Sequence, residues 1–136
     1  MTWSHMILGI GIDIVQINRI QKIYSHFGQR FLDKYFHTYE IEEFNTLTKG
    51  KQIPFLAKRF AAKEAVAKAF GTGFVGGVQL KQIYVFRTKS GKPEVRLDGD
   101  TAVFFETLYL GPKKIHLSLS DEVSYAIAFV MIETVN

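Results

Sequence analysis

The sequence predicts an α+β fold in which a mainly antiparallel sheet packs against one long and several short helices. Residues 54–70 indicate a long helix, because Pro54 suits a first helical turn and Gly71 suits a C-terminal cap. Residues 115–120 alternate apolar and polar side chains, as a half-buried strand does. Residues 123–133 form a second apolar strand, and this order of helices and strands is typical of an α+β domain.

The other elements follow from hydrophobic periodicity and from the turn residues between them. Before the long helix we predict a strand over 6–15, helices over 16–27, 30–36 and 39–47, and a polar loop over 48–53. After it we predict hairpin strands over 78–88 and 94–97 and a helix over 101–110. No internal repeat is present, so we expect one domain over 1–136, with residues 1–5 as a short leader or cloning remnant.

The first strand and the helices after it have distinct local signatures. The strand is apolar on both faces except for Gly9, Gly11 and Asp13, so we expect a strand buried on both faces whose glycines let another backbone come close. The next segment places isoleucine and aromatic side chains at helical spacing. Thr38 is the predicted N-cap of the third helix, with Glu40 favourably placed in its first turn.

Turn residues organise the C-terminal half. Residues 90–93 form the predicted hairpin turn, residues 98–100 start the next helix, and Gly111 and Pro112 end it. The last strand is apolar on both faces. Because the chain is small, we expect one of these faces to contact another subunit.

Composition narrows the function classes. The chain has 136 residues, 47% hydrophobic content and no Cys, so we expect a globule without thiolate sites, which suits a cytoplasmic protein. The net charge of +4 favours an acidic or phosphorylated partner. No apolar run approaches the ~20 residues of a membrane-spanning helix, so no membrane partner is expected. Ile14 replaces the third glycine of a dinucleotide-binding motif, and P-loop and zinc-site spacings do not occur.

Two acids are the strongest candidates for chemistry. Asp13 interrupts an apolar strand, where an ionised carboxylate needs a cation or hydrogen bonds, and Glu64 lies among four cations of the long helix. If they converge, they can hold one Mg²⁺ on a phosphate substrate, because Mg²⁺ takes carboxylate, water and phosphate oxygens. The alternatives are that Asp13 caps the following helix and that Glu64 forms a surface pair with Lys68.

Further candidates follow in the same helix and beyond it. Lys68 lies one turn from Glu64, where it can neutralise a leaving phosphate, and Arg59 can clamp a second phosphate. The segment Gly71-Thr72-Gly73 follows a helix C-terminus, whose dipole repels anions, so a phosphate bound there would need cations nearby. The alternative is that this segment only caps the helix and links it to the next element. His116 is either structural or a substrate contact.

Two motif blocks at a specific separation carry a family resemblance. They are Gly9-Ile10-Gly11-Ile12-Asp13-Ile14-Val15 with Arg19, and Arg59-Phe60-Ala61-Ala62-Lys63-Glu64-Ala65 with Lys68-Ala69-Phe70-Gly71-Thr72-Gly73. Together they resemble the holo-[acyl-carrier-protein] synthases, the small trimeric type of 4'-phosphopantetheinyl transferase. The resemblance extends over nearly the whole chain and implies a 4'-phosphopantetheinyl transferase-like fold.

The resemblance also implies an activity and roles for the candidate residues. Such enzymes transfer the 4'-phosphopantetheine arm of coenzyme A to a Ser hydroxyl of apo acyl carrier protein, which supports fatty acid biosynthesis, and release adenosine 3',5'-bisphosphate. By resemblance, Asp13 and Glu64 are catalytic Mg²⁺ ligands and Lys68 is a catalytic lysine near the CoA pyrophosphate. The positions that match family contacts around the CoA phosphates and nucleotide are Arg59, Lys68, Gly71, Thr72, Gly73 and His116.

The same resemblance implies partners. The family forms homotrimers with CoA sites between subunits, and its carrier protein is acidic, so Arg19, Lys22 and Arg30 are candidates for the docking surface. Two positions depart from the family pattern: Gln16 stands where many members carry Glu, and Asp121 where several carry His. The general base is therefore unassigned.

Two other function classes are open to the sequence. A different Mg²⁺-dependent phosphoryl-transfer enzyme or nuclease would use the same two acids. An RNA-binding module would use the aromatic residues and positive charge, but the sequence lacks RNP-like and GXXG patterns, so no nucleic-acid partner is expected.

Overall fold

The computed structural model describes residues 5–73 and 75–135. The first half contains β1 (Ile7–Gln16), α1 (Ile17–Phe27), α2 (Gln29–Tyr35), α3 (Thr38–Thr46) and α4 (Lys49–Phe70). The second half contains 3₁₀ turns at Val75–Gly77 and Leu80–Gln82, β2 (Ile83–Arg87), β3 (Pro93–Leu97), α5 (Gly99–Leu108), β4 (Lys113–Asp121) and β5 (Tyr125–Thr134). Apart from His5, the predicted leader lies outside the described residues.

The strands form two antiparallel sheets, which confirms the predicted α+β class. The larger sheet has the order β1-β5-β4, and β2 pairs with β3 in a hairpin. The long helix α4 packs against β1 and β5, and it supplies much of the single core cluster among the described residues. Within those residues no helix is both long enough and apolar enough to cross a membrane.

Close contact between α4 and β1 explains the glycines of the first strand. A Cβ added at Gly9 would lie 1.9 Å from the carbonyl oxygen of Ala69, and one added at Gly11 would lie 1.9 Å from that of Ala65. These separations are far below van der Waals contact, so a side chain at either position would push the helix off the sheet. The predicted backbone approach is confirmed.

The opposite face of the sheet is apolar and open. Ile10, Ile12 and Ile14 of β1 are 55–60% exposed, and Ile127 and Phe129 of the neighbouring strand β5 are also exposed. The interpretation of β1 as a strand buried on both faces is therefore wrong for the single chain. Because β1 contacts α4 through one face only, its second face has nothing from this chain against it among the described residues.

The long helix begins earlier than predicted. Thr48, in an extended conformation, is the N-cap, so α4 starts at Lys49 and the expected loop over 48–53 is largely helical. Pro54 lies inside the helix rather than at its first position. A proline there removes the backbone bond to the carbonyl four residues earlier, which belongs to the exposed Gly50 and is accessible to water.

Two other boundaries also differ from the prediction. His37 rather than Thr38 caps α3: its Nδ1 accepts from the Tyr39 N–H at 3.0 Å, while the His37 N–H donates to Glu40 Oε1 at 3.1 Å. The strand predicted over 78–88 begins only at Ile83, after the 3₁₀ turn. The ring nitrogen of His37 caps the helix in place of the expected Thr38 hydroxyl, so the N-cap lies one residue earlier than predicted.

A buried ion pair holds α3, α4 and β2 together. Lys63 and Glu40 are both fully buried, and the Lys63 Nζ donates to Glu40 Oε1 and to the carbonyls of Leu80 and Ile83. Glu40 also accepts from the Val85 N–H at 3.3 Å. Burial lowers the pKa of Lys63, and the Glu40 charge opposes that shift. This cluster therefore fixes the helix turn that precedes Glu64.

Candidate active site

Asp13 and Glu64 face the same cleft, as the sequence predicts for a shared metal site. Asp13 lies two residues after Gly11 on the side of β1 that faces α4, and Glu64 precedes Ala65, the residue that Gly11 contacts. The cleft has a volume of about 230 Å³, and Arg19 of α1 also lines it. The tight contact of strand and helix therefore brings the two carboxylates to one place.

The negative charges of Asp13 and Glu64 repel each other, and the cations Lys68 and Arg19 reduce this repulsion. The pKa of Glu64 is raised, chiefly by burial and next by the negative charge of Asp13, while Lys68 and Arg19 oppose the shift. Two carboxylates in one cleft, with Glu64 partly buried, are a fitting site for a divalent ion. Across residues 5–73 and 75–135 there is no cluster of three or more ligating side chains, so water and substrate oxygens would complete the coordination of Mg²⁺.

Lys68 is bound to the sheet side of the site. Its Nζ donates to Asp13 Oδ1 at 3.0 Å and to the Ile12 carbonyl at 3.0 Å. The ion-pair partner of Lys68 is thus Asp13 on β1 rather than Glu64 on its own helix.

The N-cap of α1 is Gln16, so the alternative in which Asp13 caps that helix is wrong.

Arg59 lies deep in the protein and does not line the cleft of the two acids. Its side chain is 1% exposed, with Nη2 3.9 Å from Glu43 Oε2 and the guanidinium 4.7 Å from the centre of the Phe55 ring. Burial lowers its pKa, and the Glu43 charge opposes this shift. In the described part of the chain, Nε and Nη2 are buried and have no hydrogen-bond partner.

The glycine segment after α4 forms the helix C-cap. Gly71 adopts a left-handed conformation with φ 78°, which confirms the C-capping interpretation without excluding a ligand. The Thr72 hydroxyl is buried and has no hydrogen-bond partner among the described residues. The predicted substrate contacts of Gly71, Thr72 and Gly73 stay predictions.

His116 occupies a different cavity from the two acids. Its Nε2 lies 2.7 Å from Glu133 Oε1 on the neighbouring strand. The cavity has a volume of about 510 Å³, and its lining includes Lys92, Lys113 and Lys114 as well as Glu94 and Glu106, so basic side chains outnumber acidic ones. Within one chain the structure therefore places the predicted phosphate contacts in separate locations.

Arg19 and Arg30 line a groove between α1 and α2, whereas Lys22 does not. The groove has a volume of about 380 Å³ and is largely apolar, with Phe27, Phe31 and Phe60 among its lining residues. Lys34, which sequence reasoning missed, also lines it. It lies four residues after Arg30 and hence on the same helix face, and this spacing could have identified it. Arg19 lines both the groove and the acid cleft, so the two are adjacent.

Comparison with known proteins identifies the family. A family model described as the 4'-phosphopantetheinyl transferase superfamily matches residues 9–130. The chain belongs to the 4'-phosphopantetheinyl transferase superfamily. The matched range includes both acids, Lys68 and the whole of α4.

Individual transferases of this superfamily resemble the chain over almost their full length. A holo-[acyl-carrier-protein] synthase of Blochmanniella pennsylvanica is 48% identical, with 94% of this chain and 99% of that protein covered. The crystal structure of the synthase from Neisseria meningitidis is 40% identical with a TM-score of 0.85, covering 95% of this chain and 100% of that one. The fold is therefore that of a phosphopantetheinyl transferase.

A third transferase was solved with a ligand. The synthase from Bacillus anthracis, described as in complex with CoA (3',5'-ADP), is 33% identical with a TM-score of 0.78. That match covers 96% of this chain and 99% of the other.

Proposed function

We propose that this protein transfers the 4'-phosphopantetheine group of coenzyme A to a serine hydroxyl of apo acyl carrier protein. The observation that carries this proposal is the convergence of Asp13 and Glu64 beside Lys68 and Arg19. The sequence identity of this chain to proteins named holo-[acyl-carrier-protein] synthase supports the choice of substrates. The single domain over 1–136 and the cytoplasmic location are parts of the same proposal.

Asp13 and Glu64 are the residues that would hold Mg²⁺. The ion would neutralise the CoA pyrophosphate and stabilise the departing phosphate. The serine oxygen bonds the phosphorus next to the pantetheine, the bond from that phosphorus to the bridging oxygen of the pyrophosphate breaks, and adenosine 3',5'-bisphosphate leaves with that oxygen. The serine proton leaves with this attack, and no side chain is assigned as its acceptor.

The remaining residues bind the charged parts of the substrate. Lys68 offers its ammonium to the pyrophosphate, and Arg59 offers the two nitrogens that have no partner among the described residues. Thr72 offers a buried hydroxyl between Gly71 and Gly73. His116, in its basic cavity, contacts the nucleotide part of a CoA molecule. These contacts lie apart within one chain, which supports a site completed by a second subunit.

We propose a homotrimer whose subunits meet through the open sheet face. Ile10, Ile12, Ile14, Ile127 and Phe129 expose a contiguous apolar surface on neighbouring strands. Monomeric proteins rarely expose apolar patches larger than a few hundred Å², and interfaces between subunits commonly cover them.

The carrier protein docks on the groove between α1 and α2. Arg19, Lys22 and Arg30 attract the acidic carrier, Lys34 adds a fourth cation, and Phe27 offers apolar contact. Because the groove joins the acid cleft at Arg19, a carrier serine held there is close to the two acids.

A mass measurement tests the proposed activity. Purified protein, Mg²⁺ and CoA are incubated with apo acyl carrier protein, and the carrier is expected to gain the mass of one phosphopantetheine. A carrier with its acceptor serine replaced by alanine is the control and should stay unmodified. If the apo carrier gains no mass, the transferase proposal is wrong, and another Mg²⁺-dependent phosphoryl transfer becomes the better explanation of the two acids.

Arg19→Glu is expected to raise the KM for the carrier protein about tenfold or more, with a much smaller change in the KM for CoA. The physical reason is that the introduced glutamate repels the acidic carrier protein and so slows association. Steady-state kinetics with each substrate varied in turn would measure this. Lys51→Glu, on the first turns of α4, is the matched control for net charge and should leave the carrier KM unchanged. Equal effects of the two substitutions would contradict this docking surface.

A further inference from the structure

Lys68 occupies an unusual position for a residue that is to meet a phosphate. Its ammonium contacts two oxygens on β1, the Asp13 carboxylate and the Ile12 carbonyl, both at 3.0 Å. An ammonium held by a carboxylate and a carbonyl has the kind of oxygen surroundings that a metal ion also requires. The ammonium of Lys68 therefore occupies a place beside Asp13 that a divalent ion bound to this carboxylate would also need.

We propose that Lys68 substitutes for the divalent cation in the substrate-free protein, so that cation binding must displace Lys68 from Asp13 and release its ammonium to the substrate phosphates. This inference rests on the proposed function, and in particular on Asp13 as a metal ligand. It adds that Lys68 has two successive partners, the carboxylate before substrate binding and a phosphate after it.

The exposure of the pair makes this exchange energetically modest. The Lys68 side chain is 55% exposed, whereas that of Asp13 is 16% exposed, so the lysine can move into solvent while the carboxylate stays in place. Ion pairs with one exposed partner are weak, which makes displacement by a divalent ion feasible. Lys68 also lies in the last turn of α4, where the negative end of the helix dipole holds an ammonium nearby after its release.

Release of Lys68 couples the binding of cation and substrate. A cation that binds alone must displace Lys68 and leave its ammonium without a partner. When CoA is present, its pyrophosphate accepts that ammonium. CoA should therefore strengthen cation binding, and the cation should strengthen CoA binding by the same factor, because binding free energies are reciprocal. The substrate-free protein accordingly keeps its two carboxylates partly neutralised and binds the free metal weakly.

Binding of Mn²⁺ to the full-length protein, measured by calorimetry with and without CoA, tests this exchange. Without CoA, Lys68→Met is expected to bind Mn²⁺ about fivefold more tightly than wild type. This factor corresponds to the strongest free energies measured for solvent-exposed ion pairs. With CoA the difference should shrink, because wild-type Lys68 has then moved to the phosphates. Methionine replaces the apolar stem of the lysine with one of similar length and removes the ammonium.

Two control variants separate the ion pair from general electrostatics. Lys58→Met removes a charge from the same helix, where Lys58 pairs with Asp121 at 3.6 Å, and should leave Mn²⁺ affinity unchanged. Arg19→Met removes a cation that lines the cleft and influences Glu64, and its gain should be clearly smaller than that of Lys68→Met. Equal gains for Arg19→Met and Lys68→Met would overturn the exchange.

Failure of the exchange can be distinguished from failure of the proposed function. If wild type and Lys68→Met bind Mn²⁺ equally while Asp13→Ala loses binding, the exchange is wrong and the metal assignment stands. If Asp13→Ala binds Mn²⁺ as wild type does, Asp13 is not a ligand, and both the assignment and the exchange are wrong. The carrier-modification assay reports on the transfer activity independently of either result.

Discussion

Glu64→Gln is expected to lower kcat about a hundredfold to a thousandfold, the range observed when one electrostatic contact to a transition state is lost. Glutamine keeps the shape of the side chain but removes the charge that would hold Mg²⁺. Because burial and the Asp13 charge raise the pKa of Glu64, its charged form is less favourable in the folded protein than in the unfolded chain. The neutral glutamine should therefore not destabilise the fold.

Steady-state transfer assays and thermal unfolding measured side by side would check this result. Glu42→Gln, on the exposed side of α3, is the matched control and should retain full activity. We expect the melting temperatures of the three proteins to agree closely, because Glu42 is exposed and Glu64→Gln removes a charge that folding disfavours. Full activity in Glu64→Gln would contradict the assignment of the metal ligands.

Lys63→Met is expected to reduce the free energy of unfolding by about 3–5 kcal/mol, the usual loss when one member of a buried ion pair is removed. The substitution leaves the Glu40 carboxylate fully buried without its cation, and it also leaves the carbonyls of Leu80 and Ile83 without their donor. Urea unfolding followed by circular dichroism would measure the loss.

A second variant separates loss of the charge pair from loss of packing. Lys63→Met combined with Glu40→Gln removes both charges, while the glutamine oxygen can still accept from the Val85 N–H. We expect it to recover part of the lost stability. Lys58→Met, whose pair with Asp121 is near the surface, should cost no more than about 1 kcal/mol. A loss of the same size for Lys58→Met and Lys63→Met would show that the buried pair has no special role.

The buried pair and the two acids belong to one arrangement. Lys63 and Glu64 are consecutive residues of α4, so the first faces the core toward Glu40 while the second faces the cleft of Asp13. Anchoring Lys63 to α3 and β2 limits rotation of the helix at Glu64. The close contact of Gly11 with Ala65 fixes the distance between α4 and β1. Together these contacts hold one carboxylate beside the other.

Local patterns were sufficient for much of the fold and for the acid pair. Alternation identified β4, a continuous apolar run identified β5, helical spacing identified α1, and the glycines of β1 correctly indicated a close backbone contact. These features depend on residues near one another in the chain, which is why periodicity detects them. The residues around Asp13 and Glu64 singled out these two acids before the family resemblance supported them, and the structure places both in one cleft.

The amino-acid sequence by itself thus determined the class of fold and the family, and it predicted the two acids of the site. Only the tertiary structure decided that Lys68 pairs with Asp13 instead of Glu64, that Arg59 is buried beside Glu43, and that Lys63 serves the core. All three are cations of one helix, and their spacing is compatible with several partners. Which partner each one meets depends on strands and helices distant in sequence, because α4 contacts them on every side.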